Sequence, residues 1–143
     1  MSSVQEDQPK PDFEIDHPEK YAQFFLGTSR EVSFYLSLLV KRGSLLTAHL
    51  DDGNEFFLTT ILAVDDEKQA VFLDPAPADE LNDALKKARH ITLTANLDRV
   101  KIQFRLPPVT EQLIAGRRAL AAPFPRTILR LQRREFFRLE PSL

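Results

Sequence analysis

The sequence predicts a mostly β domain: a small antiparallel barrel of six short strands, with one N-terminal helix and one or two short helices. Three observations predict it. Apolar and polar residues alternate with period two over short runs, as in Leu46, Ala48 and Leu50. Turn-forming clusters such as Asp51-Asp52-Gly53-Asn54 separate those runs. Few connections are long enough for a helical crossover between parallel strands, which favours antiparallel pairing. With 143 residues, 43% of them apolar, the chain fits one domain that buries its core without covalent staples.

Taken in order, residues 1–19 are acidic and carry Pro9, Pro11 and Pro18, the composition of a mobile tail. Thr28-Ser29-Arg30-Glu31 forms a capping box that starts a helix over 30–41, and Gly43 stops it. Val32, Tyr35, Leu36 and Leu39 give that helix its apolar face. A meander follows: a strand at 46–50, a hairpin turn, a return strand over 55–64, a turn at 65–68 and a short strand at 70–73. Asp74-Pro75-Ala76-Pro77 interrupts it, and a short helix occupies 79–88, acidic first and basic last as the helix dipole favours. Strands at 90–97 and 100–106 meet at a tight turn near Asp98-Arg99. Residues 109–120 are assigned a helical turn or two, and a last strand runs over 123–131.

The inventory removes most chemistry. Without cysteine there is no disulfide, thiolate metal site or cysteine nucleophile. His17, His49 and His90 are dispersed, and a strand histidine is more often structural than a ligand. Asp65, Asp66, Asp79 and Asp83 occupy turns and a helix N-terminus, where acids have structural work. The four glycines stand apart, so no phosphate loop exists, and no serine sits in an elbow motif. There is neither a basic start with an apolar run at the N-terminus nor an apolar run of about 20 residues, so a cytoplasmic address is the default.

What remains is a charge gradient. Residues 1–20 hold six acids and two lysines; from Leu113 onward there are seven arginines and two acids. The arginines culminate in Leu131-Gln132-Arg133-Arg134-Glu135-Phe136-Phe137-Arg138. Arg134 and Arg138 share a side whether that segment is extended or helical, because four is a multiple of two and close to 3.6. Guanidinium forks suit phosphate oxygens and guanine edges, and their faces suit stacking. Phe136-Phe137 offers an apolar anchor. A solvated linker, or ion pairs with the acidic N-terminus, is the plain alternative. A nucleic-acid polymer is a poorer fit, because no broad lysine field accompanies the cluster.

These residues resemble the segment that opens the PilZ domain in YcgR-like flagellar brake proteins. Arg134 and Arg138 match the RxxxR motif, and Arg133 the arginine that often precedes it. Leu58-Thr59-Thr60-Ile61-Leu62, Val71-Phe72-Leu73-Asp74, Lys101-Ile102-Gln103-Phe104 and the lead-in from Pro125 to Leu131 resemble the domain preceding it, so the likeness spans about 25–140. The resemblance implies a split β-barrel at 20–131, related in shape to flavin-binding barrels, and an interdomain linker at 132–143. It implies a cyclic di-GMP receptor whose arginines Arg133, Arg134 and Arg138 hold the dinucleotide. A D/N-x-S-x-x-G motif in the chain's own C-terminal PilZ barrel would complete the pocket. The liganded protein would slow the flagellar motor by engaging rotor or stator proteins at the basal body, with no enzymatic step, resident cofactor or metal. Neither that motif nor the barrel occurs before Leu143, so the expectation is a fragment that binds the nucleotide weakly or not at all. Two other classes stay open here: a flavin-binding split-barrel oxidoreductase, by analogy of fold alone, and a structural interaction module with no nucleotide role.

Overall fold

The computed structural model describes residues 11–53 and 55–132. A four-residue helix α1 (Pro18–Tyr21) and a two-residue strand β1 (Phe25–Leu26) lead into the main helix α2 (Ser29–Arg42). Strands β2 (Leu46–Leu50), β3 (Glu55–Thr59), β4 (Ile61–Asp65) and β5 (Ala70–Leu73) follow, then helix α3 (Asp79–Lys87). Strands β6 (Ile91–Leu97), β7 (Val100–Leu106), β8 (Thr110–Ile114), β9 (Arg117–Pro123) and β10 (Ile128–Gln132) complete the order. All pairings are antiparallel, in a six-stranded sheet ordered β1-β10-β7-β6-β2-β3 and a four-stranded sheet ordered β4-β5-β9-β8. The mostly β, antiparallel class therefore holds, with ten strands among the described residues in place of six.

The extra strands have identifiable causes. The run over 55–64 is two strands in two sheets, divided at Thr60. The corner is fixed by Asp74, whose N–H donates to the Thr60 carbonyl (3.0 Å) and whose carbonyl accepts from Thr59 Oγ1 (2.8 Å). Residues 109–120 hold no helical turn: Ile114 pairs with Arg117 across Ala115 and Gly116, both at positive φ (51° and 78°). Two consecutive left-handed residues are what a tight hairpin of matching twist requires. The last strand starts at Ile128, past the prolines, and not at 123.

Locally the helix assignments follow the sequence. Glu31 N–H donates to Thr28 Oγ1 (3.1 Å) and the Glu31 carboxylate accepts from Thr28 N–H (3.4 Å), closing the capping box. Gly43 ends α2 in the left-handed region at φ 59°. Leu36, Leu39, Leu46, Leu73, Leu85, Leu93, Ile102 and Phe104 are fully buried in one core between the sheets and helices.

Residues 11–19 are not free of the domain. Phe13 is buried against His49, with ring centroids 5.1 Å apart. Lys101 Nζ donates to Glu14 (2.8 Å), Arg105 donates to Asp16 (2.8 Å), and the Ile15 N–H donates to Gln103 Oε1 (2.8 Å). A strap thus crosses the outer face of the six-stranded sheet, held by one apolar anchor and two ion pairs. Composition alone missed it because charge and proline content register solubility, whereas Phe13 and a complementary basic row on β7 decide docking.

Candidate functional site

Arg133, Arg134 and Arg138, together with Phe136 and Phe137, lie outside the described residues. What the structure defines is the strand that delivers them. β10 is paired on both sides, with β7 from Ile128↔Phe104 to Gln132↔Val100 and with β1 through Leu129↔Phe25. Ile128, Leu129 and Leu131 are buried, so both faces of the strand are covered. The Arg130 guanidinium lies 5.8 Å from the Tyr35 ring of α2, a cation–π contact. Gln132, registered to Val100 on β7, is the last residue of the strand, and Arg133 is the next residue.

The end of the sheet at Gln132 carries further charge. Val100 pairs with Leu97 across the turn Asp98-Arg99, whose φ values are 49° and 72°. Asp98 accepts from Arg42 (2.9 Å), tying that turn to the end of α2. Lys101 lies opposite Leu131 on β10 and is neutralised by Glu14. At the other end of β10, His90, Arg105 and Arg126 share an open cleft of about 460 Å³ with Ile15, Phe124 and Thr127. The hydrogen bond from Arg105 holds the Asp16 carboxyl below the usual carboxylate range, so that arginine is already committed.

Several of the remaining polar residues have structural partners. Asp51 accepts from the Arg89 N–H (2.8 Å), anchoring the β2–β3 hairpin to the start of β6. Asp65 accepts from Lys68 N–H (3.1 Å) within its turn, and Asp66 accepts from Ser33. His17 pairs with Asp12 (2.7 Å), which raises its pKa. Burial lowers the pKa of His49. Among the described residues, no three His, Asp or Glu side chains are placed to hold a metal ion, and no helix is long and apolar enough to cross a membrane. Among the described residues, the acidic N-terminal segment makes ion pairs with Lys101 and Arg105 on β7. Their alternation with Gln103, matched by Glu14 and Asp16, was the sequence signal for that contact.

Residues 24–130 match the family described as flagellar regulator YcgR, PilZN domain. The chain belongs to the PilZN family. Within it, the flagellar brake protein YcgR 1 of Dechloromonas aromatica (strain RCB) is 72% identical over 142 residues, which are 99% of this chain and 54% of the relative. The chain spans about half the length of the curated relatives it matches. Among solved structures, YcgR from Escherichia coli in complex with c-di-GMP is similar with a TM-score of 0.73 and 25% identity, over 79% of this chain and 48% of that one. The YcgR-N domain of the same organism is similar in fold (TM-score 0.70, 24% identity) over 77% of this chain and 96% of the domain. The PilZN match ends at β10, and the arginine segment follows at once.

Proposed function

We propose that this chain is the regulatory domain of a cyclic di-GMP-responsive flagellar brake and carries the first half of the nucleotide site. Arg134 and Arg138 grip phosphate oxygens and guanine edges, Arg133 assists, and Phe136 or Phe137 seats the segment against the chain's own C-terminal PilZ barrel. The protein works in the cytoplasm at the flagellar basal body, where it slows rotation through rotor or stator proteins. It acts by binding, without a catalytic step.

One observation carries this reading: the PilZN fold runs directly into the RxxxR segment through a strand fixed on both sides. Membership in a family of flagellar regulators, and a related protein solved with c-di-GMP, support it. A ligand that fixes Arg134 and Arg138 is then coupled to the six-stranded sheet through only a few residues. Nucleotide binding becomes a change in how this domain is held.

The same reasoning limits affinity. An arginine with no opposing wall contributes about 0–1 kcal/mol, because solvent screens the contact. Calorimetry of cyclic di-GMP into the 143-residue chain is expected to give no saturable heat at micromolar concentrations. A protein extended through the PilZ barrel is expected to bind, and Arg134→Ala to abolish that binding while leaving the circular dichroism of this domain unchanged. Low-micromolar affinity in the 143-residue chain would remove the second wall from the proposal; retained affinity in Arg134→Ala would remove the arginine.

A further inference from the structure

The cleft at the start of β10 has no part in the nucleotide reading. It opens where β7 and β9 end and β6 and β10 begin, with about 460 Å³ of space. Buried Leu106 and half-buried Ile15 and Phe124 line it with apolar surface, and Arg105 and Arg126 bring positive charge. A concave apolar site with a few convergent polar groups is the usual form of a binding site. Its mouth is set in advance: Pro107 and Pro123 fix the backbone on two sides, and the Phe124 N–H donates to the Gln69 carbonyl (2.8 Å). The cleft already receives one acid. Arg105 donates from both terminal nitrogens to Asp16 (2.8 and 3.4 Å), and Ile15, the residue before it, lines the same cleft. Arg126 is exposed and makes no hydrogen bond or ion pair with another described residue. The strap thus fills one cationic position with an apolar residue and an acid, and a second position is left open.

We propose that this cleft holds the motor partner. Its occupant is a segment of a rotor or stator protein that carries Asp or Glu next to a large apolar side chain. The inference rests on the reading of this chain as part of a flagellar brake. Arg126 receives the incoming carboxylate on its guanidinium fork, and the apolar neighbour covers Phe124 and Leu106. A basic segment would meet like charge here, and a bare phosphate would leave the apolar lining wet. The position also suits the task. β10 is five residues long, so the cleft and the arginine segment adjoin opposite ends of one strand, about 15 Å apart. Nucleotide and motor partner are then held together, neither displacing the other.

The test uses a protein extended through the PilZ barrel, in swimming cells that lack a brake of their own. Arg126→Glu is expected to lose about half or more of the nucleotide-dependent slowing, with cyclic di-GMP affinity within about twofold of wild type. The side chain is exposed, so the variant keeps its melting profile. Arg117→Glu makes the same charge change at the opposite end of β9 and is expected to slow cells as wild type does. With p-benzoylphenylalanine in place of Phe124, ultraviolet light is expected to crosslink the protein to a rotor or stator peptide holding Asp or Glu beside a large apolar residue. Four results overturn the inference and leave the brake reading standing: full slowing by Arg126→Glu, an equal loss in Arg117→Glu, a fall in nucleotide affinity in Arg126→Glu, or no adduct with a carboxylate-bearing motor peptide. A wild-type protein that does not slow the cells overturns both.

Discussion

His49 illustrates how one side chain is set by neighbours far away in sequence. Its ring lies between Phe13 of the strap and Phe56 of β3, and Nδ1 is buried with no hydrogen-bond partner among the described residues. Burial holds its pKa below the ordinary 6.5. As pH falls, the unfolded chain takes up this proton first. The stability tied to neutral His49 is thus complete above about pH 6.5 and is lost as pH drops toward the folded pKa. His17 has the opposite sign: its bond to Asp12 raises its pKa, so its contribution is present below 6.5 and lost on raising the pH. His17 is exposed and common to both proteins in a comparison of wild type with His49→Phe. The unfolding free energy of that variant relative to wild type is expected to rise between about pH 7.5 and about pH 5.5. Urea titrations at both pH values read it, and a difference that does not change with pH would deny His49 the role. None of this was visible in the sequence, where a strand histidine has no marked partner. By contrast, the Thr28-Glu31 capping box was fully legible, because both halves of the interaction lie within four residues.

Among the elements, those misread share a cause: tertiary structure overrode a local pattern. Phe57, Thr59 and Ile61 are all buried, so period-two burial runs unbroken through the corner at Thr60 and reads as one strand. The change of sheet leaves no mark in that period. β8 fails in the opposite way. Thr110, Glu111, Gln112 and Leu113 are all exposed, so no alternation exists to find; only Gly116 hinted at the hairpin. The strap was hidden by its acids and prolines, yet its docking constrains the β2–β3 turn. Gly53 has φ +96°, and a Cβ there would lie 2.5 Å from Pro11 Cγ and 3.2 Å from Phe13 Cζ. Gly53→Ala is expected to cost about 1–3 kcal/mol, part from the strained φ and part from displacing the strap. Adding Pro11→Gly, at an exposed position, is expected to recover the steric share only. A double-mutant cycle by urea unfolding separates the two. Strict additivity would mean that the strap does not press on the turn.

For the whole molecule, the proposed function makes β10 a mechanical connection. The arginine spacing is a local pattern that the sequence displays by itself; the structure describes the strand that precedes it. Gln132 is registered to Val100, Leu131 is buried, and the start of the strand is paired on both flanks, so the sheet is held in register up to the residue before Arg133. If the nucleotide reorients this domain through that connection, affinity and response must be separable. In the proposed function, affinity belongs to Arg134, Arg138 and the facing barrel, and the response to the stiffness of the connection between Gln132 and Arg133. Inserting Gly-Ser-Gly between those two residues, in a protein extended through the PilZ barrel, is expected to leave cyclic di-GMP affinity within a few-fold of wild type. A flexible insert adds only slowly to the entropy of closing the site. The ligand-dependent change in distance between fluorophores on the two domains is expected to disappear in the same variant, and with it the slowing of swimming. A variant that binds and still reorients would show that the two domains are coupled by a surface other than β10. One that loses binding as well would place residues of this sheet in the nucleotide site itself.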